Sequence, residues 1–243
     1  MQNPHRHWYR WPFSLEGRFY CWQGKVWMDS LGLTWIRGRQ HEDIPTPWLE
    51  RLATSRIGFD IGAHRGYWSL VQRSFMPHST QVILMEPDPE NYAYLLRNLA
   101  LNQAFWAIPL PLAAWHSPAH LSLQSRSFHQ VHASFMHQVR EAEGATLATS
   151  VDRLVEALAL PTVDWIKIDT EGAETAVLKG AHQTLRHFKP TLWIEIHDTW
   201  EEVESFLSTM GYQTRERIEK SDGQFFRRIG YLWAEPHSVP REE

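Results

Sequence analysis

The sequence predicts an α/β fold, a doubly wound and mostly parallel sheet closed by an antiparallel C-terminal strand pair. Three observations predict it. From Arg56 onward, short apolar runs alternate with segments of helical spacing, the pattern of a sheet covered on both faces by helices. Four of those runs close on an ionisable residue: Asp60, Glu86, Asp169 and His197. The last two runs flank Asp222-Gly223, a link too short for a crossover, so they must run antiparallel.

The elements follow in chain order. RIGFDIG reads as a short strand ended by Asp60 and Gly62, and GYWSLVQRSFM as the helix after it. QVILME is a continuous apolar strand. PDPENYAYLLRNLALN is a helix with Asp88 at its N-cap and Pro89 in its first turn, where a missing N–H does no harm. Its Tyr92, Leu95, Leu96 and Leu99 form one apolar stripe. FWAIPLPLAAW and HLSLQS are strands, and the His-rich stretch from Arg126 to Ala148 fits either element type. VDWIKID is a buried strand, followed by one helix over ETAVLKGAHQTLRHF. TLWIEIH is a strand, EEVESFLSTMGY a helix stopped by Gly211, and YQTRERIEK and FFRRIGYLWAEP close the chain as strands.

Residues 1–50 lack this alternation and are broken by Pro4, Pro12, Pro45 and Pro47. They hold Trp8, Trp11, Trp22, Trp27, Trp35 and Trp48, six of the 13 tryptophans. Such aromatic-rich sequence buries area rather than staying disordered. The expectation is a Trp-rich extension, with two short strands around Gly24-Lys25, packed on a main domain over 51–243.

Composition narrows the function classes. A net charge of −4 carries no electrostatic footprint for nucleic acid. The single cysteine, Cys21, excludes an internal disulfide or a zinc-binding cysteine set. No apolar run approaches the roughly 20 residues that cross a bilayer, and the N-terminal stretch lacks a secretory signal's apolar centre. A cytoplasmic protein is expected, with no nucleic-acid or membrane partner; the sequence sets no oligomeric state.

Ligands of such sheets bind beyond the carboxyl ends of the strands, where the strand order reverses. Asp60, Gly62, Ala63 and Gly66 lie in the turn after the first strand, and Glu86 with Pro87 ends the second. Glycine lets a backbone turn tightly and approach a ligand, and a carboxylate at the second strand end can accept both ribose hydroxyls. Dinucleotide sites use G-x-G-x-x-G and place no acid where the pyrophosphate sits. Here the order is D-x-G-x-x-x-G. Asp60 would repel a pyrophosphate and attract an amino group, which favours S-adenosylmethionine over a nicotinamide or flavin dinucleotide.

A second group of ionisable residues gathers at the later strand ends. Lys167 and Asp169 share a strand face, Glu171 follows in the turn, and Glu195 and His197 share a face of the next strand. Such clusters shift pKa values and serve as candidate catalytic sites. Each residue also has a plain structural reading: Lys167 as a buried ion-pair partner, Glu174 and Asp152 as helix-start residues, His197 as a satisfied half-buried histidine.

VDWIKIDTEGAETAVLKGA followed by KPTLWIEIH resembles the signature of the FkbM-type methyltransferases, and DIGAHRGYWSL and MEPDPENYAYLLRNL resemble that family's first two motifs. The resemblance covers about residues 56 to 235 and implies a Rossmann-like class I methyltransferase. It implies a donor site for S-adenosylmethionine at Asp60, Gly62 and Glu86, and transfer to an oxygen of a glycan, polyketide or related metabolite. The full donor set is then Asp60, Gly62, Ala63, Gly66, Glu86, Pro87 and Asp169. The catalytic candidates are His197, Asp169, Lys167 and Glu171, with His197 or Asp169 as proton acceptor. A neutral histidine near its ordinary pKa of ~6.5 is the better base. A divalent metal at Asp169, Glu195 and His197 is a further option, similar to catechol-type O-methyltransferases, but metal-free transfer is favoured. His129, His132 and His137 are a weaker metal candidate. A non-catalytic donor-binding scaffold is the competing function class.

Overall fold

A computed structural model of the chain describes residues 18–22, 25–29, 46–125, 137–141, 145–220 and 229–236. The elements run β1 (Arg18–Trp22), β2 (Lys25–Asp29), α1 (Thr46–Ala53), β3 (Ile57–Ile61), α2 (Tyr67–Gln72), β4 (Gln81–Met85), α3 (Pro89–Leu101), β5 (Ala107–Leu110), β6 (Ala113–Ala114), β7 (Ala119–Ser125), β8 (His137–Glu141) and β9 (Thr146–Thr149). They continue with α4 (Val151–Ala157), β10 (Trp165–Asp169), α5 (Glu174–Gly180), α6 (His182–Phe188), β11 (Thr191–His197), α7 (Trp200–Thr209), β12 (Tyr212–Lys220) and β13 (Ile229–Pro236).

Seven strands form the main sheet in the order β12-β13-β11-β10-β3-β4-β5. The pairs from β5 through β11 are parallel, and β13 is antiparallel to both β11 and β12. The chain builds outward from β3 to β5, then returns to β3's other side with β10. The strand order therefore reverses between β3 and β10, the point at which sheets of this kind bind their ligands. This is the Rossmann-like architecture that the alternating apolar runs predict. The Asp222-Gly223 turn lies outside the described residues.

Alternation along each strand gives the sheet two different faces. Phe59, Ile83, Ile166, Ile168, Ile194 and Ile196 fill one with aliphatic side chains. The other carries tryptophans: Trp165 and Trp193 from the strands, Trp68 from α2 and Trp48 from α1. Trp48 is fully buried, its ring 5.8–5.9 Å from those of Trp68, Trp165 and Trp193. So one of the N-terminal tryptophans fills the central core, and its helix crosses the expected boundary at residue 50. Trp165 also explains Gly58 on the neighbouring strand, where a Cβ would land inside the indole ring.

Three local expectations need correction. FWAIPLPLAAW forms two strands, β5 in the main sheet and β6 in a second, four-stranded sheet of order β6-β9-β7-β8. The segment 174–188 is two helices meeting at Ala181. There Gly180 passes against the Trp115 carbonyl, leaving no space for a Cβ. Asp152 then caps the second helix, accepting from the Gln183 and Thr184 N–H groups at 2.9 and 2.8 Å. In α3 the expected stripe is interrupted: Leu96 is 42% exposed, while Asn91 and Asn98 are buried. Asn91 accepts from Arg65 Nε and Asn98 donates to the Arg65 carbonyl, so both amides hold the loop after β3.

Among the described residues no helix is long and apolar enough to cross a membrane. The strand β2 lies alongside α3 and α2.

Candidate active site

The loop after β3 is shaped by two glycines. Gly62 has φ 74° and Gly66 has φ 81°, both in the left-handed region that an L side chain resists. A Cβ at Gly62 would also strike the Asp169 carbonyl on the neighbouring strand. Four of the loop's N–H groups are already engaged. Gly62 and Ala63 both donate to the Met85 carbonyl at 3.0 Å, His64 donates to Glu86 Oε2 at 2.7 Å, and Gly66 donates to the Ala63 carbonyl at 2.8 Å. A pyrophosphate cradle uses such groups turned outward, and these four are not available for it.

Glu86 ends β4 with Pro87 between it and Asp88, the N-cap of α3. Its Oε2 accepts from His64 and its Oε1 from the Asp88 N–H at 2.9 Å. Each oxygen retains a second acceptor position. Burial dominates its titration and pushes the carboxyl up to about 7, the two N–H bonds opposing the rise.

Asp60 lies near the end of β3, next to the glycine loop. Its side chain is fully enclosed, with Oδ2 accepting from Ser69 Oγ at 2.6 Å and Oδ1 lying 3.1 Å from Lys167 Nζ. It holds Lys167 beneath the glycine loop. Lys167 donates to the Gly62 carbonyl at 3.0 Å and sits 3.6 Å from Asp169 Oδ2. Burial alone would lower its pKa, but Asp60 and Asp169 outweigh that and hold it above its ordinary value. Lys167 is therefore a fixed cation that ties the glycine loop to the end of β10.

The second cluster forms where β10 and β11 end. Asp169 pairs in register with Glu195, and His197 lies two residues on, on the same face. Glu171 reaches this corner from a turn with φ 54°, its Oε2 lying 3.4 Å from His197 Nε2. Glu195 Oε1 lies 3.9 Å from the same nitrogen. Glu174, more than a helix-start residue, is fully buried: its Oε1 lies 3.2 Å from His197 Nδ1 and accepts from the Gly172 N–H at 2.8 Å. Its Oε2 accepts from Thr199 Oγ1 at 2.7 Å. Burial on its own would lower the His197 pKa, but Glu174, Glu171 and Glu195 push it up to about 10. A neutral histidine titrating near 6.5 is thus not what this environment makes. Instead it makes a site for positive charge. Asp169, Glu195 and His197 each present a ligand atom within 4.8 Å of the others, the kind of set that holds a metal ion.

All eleven sequence-selected positions of interest, from Asp60 to His197, converge on the carboxyl ends of β3, β4, β10 and β11, apart from Gly66, which caps α2. Sequence reasoning missed Ser69, Thr199 and the true role of Glu174. Only the fold brings these into contact, across separations of 9, 25 and 23 residues. His129 and His132 lie outside the described residues.

Residues 60–214 match the family described as Methyltransferase FkbM domain. The chain is 27% identical over 215 residues to a Sordaria araneosa protein named methyltransferase sdnD, covering 73% of this chain and 82% of that one. It is 27% identical over 163 residues to the hexuronic acid methyltransferase AglP of Haloferax volcanii, covering 67% of this chain and 64% of that one. Among solved structures it is similar to a methyltransferase FkbM from Methylobacillus flagellatus, with 21% identity, a TM-score of 0.49, and coverage of 73% of this chain and 43% of that one.

Proposed function

The chain belongs to the FkbM methyltransferase family, and from that membership we propose that it is an O-methyltransferase that takes S-adenosylmethionine as methyl donor. The acceptor in this reading is a hydroxyl on a glycan, polyketide or related metabolite. The observation that carries it is the joining of two strand-end groups at the switch point, through Lys167, which holds the Gly62 carbonyl and lies against both Asp60 and Asp169.

The residues present fit the donor. Glu86 accepts the ribose hydroxyls with the acceptor positions its backbone bonds leave over. The glycine loop, with those four N–H groups engaged, suits a cationic amino-acid moiety better than a phosphate. Gly62, Ala63, Gly66 and Pro87 shape that surface. Bound there, S-adenosylmethionine supplies an activated methyl group that passes to the acceptor oxygen as the thioether departs.

What the protein adds is alignment and a route for one proton. Glu171 takes the acceptor proton. Its side chain is the most exposed of the corner's carboxylates, at 18% against 14% for Asp169, 9% for Glu195 and 0% for Glu174. Asp169 stands between the donor and acceptor halves and fixes their spacing. His197 organises the acceptor corner as a centre of positive charge. A cytoplasmic location accompanies this reading, since the donor is an intracellular metabolite. The relative that acts on a hexuronic acid supports a sugar among the acceptors. Incubation with isotopically labelled methyl donor and a panel of sugars, phenols, polyketides and amines, read by mass spectrometry, tests the proposal. Label on hydroxylated acceptors is expected; label on amines alone would overturn the assignment to oxygen.

A further inference from the structure

We propose that Asp169, Glu195 and His197 form a binding site for one divalent cation at the acceptor side of the crevice. The inference rests on the methyl-transfer reading for its purpose and not for its existence, because binding is measurable without donor or acceptor.

Backbone register builds the site. Asp169 and Glu195 are Cα partners on adjacent parallel strands, and His197 follows on the same face. Their ligand atoms lie within 4.8 Å of one another. Around an ion with bonds of about 2.0–2.2 Å, ligand atoms stand about 3–4 Å apart, so side-chain adjustments on the order of 1 Å complete the set. One imidazole and two carboxylates suit manganese, zinc or a related first-row ion, with remaining positions left to water or an acceptor hydroxyl.

Two further features favour an ion. The first is the orientation of His197. A metal-bound histidine commonly turns its other nitrogen to a carboxylate, which fixes the ring and its tautomer. His197 does this, with Nδ1 on Glu174, a carboxylate itself fixed by Gly172 and Thr199. Nε2 thereby faces the Glu171 and Glu195 carboxylates, at 3.4 and 3.9 Å. The second feature is charge. The linked ion pairs bring five carboxylates, Asp60, Asp169, Glu171, Glu174 and Glu195, together with two cationic side chains, Lys167 and His197. Unbalanced charge held out of water is costly, and a divalent ion that binds Nε2 in place of the His197 proton still adds one net positive charge at its centre. An ion here would supply Lewis acidity to an acceptor hydroxyl bound at this corner, where Glu171 would take the proton.

The experiment is a titration of manganese into the metal-stripped, untagged full chain without donor. It is followed by the loss of the free-ion paramagnetic resonance signal and by calorimetry, with zinc and magnesium as parallel probes. One saturable site per chain is expected. Glu195→Gln and His197→Gln should each weaken it at least tenfold while S-adenosylmethionine affinity stays within twofold. Should His197→Gln fail to fold, judged by near-ultraviolet circular dichroism, Glu195→Gln carries the test. Absence of a saturable site for all three ions, or a site that these substitutions leave intact, overturns the proposal. Loss of donor binding in the unsubstituted chain would count against the donor assignment alone.

Discussion

Lys167 Nζ lies 3.1 Å from Asp60 Oδ1 on the adjacent strand, with both side chains almost wholly out of water. The same ammonium donates to the Gly62 carbonyl. The ion pair thus sets the height of the glycine loop over the crevice. Removing one partner of such a pair leaves the other buried and uncompensated, which costs about 3–5 kcal/mol. Lys167→Met should lose stability of that order in urea unfolding. Lys167→Met combined with Asp60→Asn should recover part of it, yet donor affinity should stay low in both, because the loop has lost its tether. A single variant no less stable than the double one would remove the ion pair from this account.

On the proposed donor site, Glu86 should give donor binding a pH dependence. Its folded pKa is raised from 4.5 to about 7, chiefly by burial. In the donor-free chain this group favours the folded state below about 4.5, and that contribution is lost as pH rises through about 7. The ionised carboxylate is the form that accepts ribose hydroxyls most strongly. Donor affinity should therefore increase between pH 6 and pH 8, and the donor-induced rise in Tm should be larger at pH 8. Glu86→Ala should weaken binding by about 1.5–3 kcal/mol, roughly ten- to a hundredfold, and flatten the profile. Calorimetry across that range checks both; an unchanged slope in the variant would assign the pH dependence elsewhere.

Much of this arrangement is legible in the sequence, for a physical reason. Strands buried on both faces read as unbroken apolar runs, so QVILM and TLWIEIH announce themselves, and Asp88-Pro89 marks a helix start through local chemistry alone. Asp88 does accept from the Asn91 N–H at 2.7 Å. What stays hidden depends on contacts between distant segments. The break at Ala181 comes one residue after Gly180, whose missing Cβ leaves room for the Trp115 carbonyl. Arg65 is buried because Asn91 and the Tyr94 ring receive its guanidinium, and no periodicity foretells that. His197 shows the same limit most clearly. Its position at a strand end is readable, but its charge state depends on Glu174, which the sequence presents only as the start of a helix.

The N-terminal extension is expected to belong to the folded unit. Its strand β2 lies alongside α3, and Trp48 of α1 sits in the tryptophan core between the strands and α2. Limited proteolysis should leave residues 18–29 attached under native conditions, and a chain starting at residue 46 should show a lower Tm. Rapid removal of residues 1–45 with stability and turnover unchanged would show that the extension is dispensable to the domain.

Glu171 provides the sharpest test of mechanism. It occupies a left-handed turn at the end of β10 and leans toward His197 from the more open side of the corner. Glu171→Gln preserves shape and removes the capacity to take a proton. If Glu171 accepts the acceptor's proton, kcat should fall by ~10²–10⁴-fold with donor affinity little changed. A residue that merely held the turn would lower turnover equally for every acceptor. A base would not: the less acidic the hydroxyl, the more its removal matters. The loss should therefore be larger for an aliphatic sugar hydroxyl than for a phenol, which ionises more readily. The measurement is kcat for parent and variant across acceptors of graded acidity, under conditions where chemistry limits the rate. A uniform loss across the series would make Glu171 a positioning residue and pass the proton to Asp169.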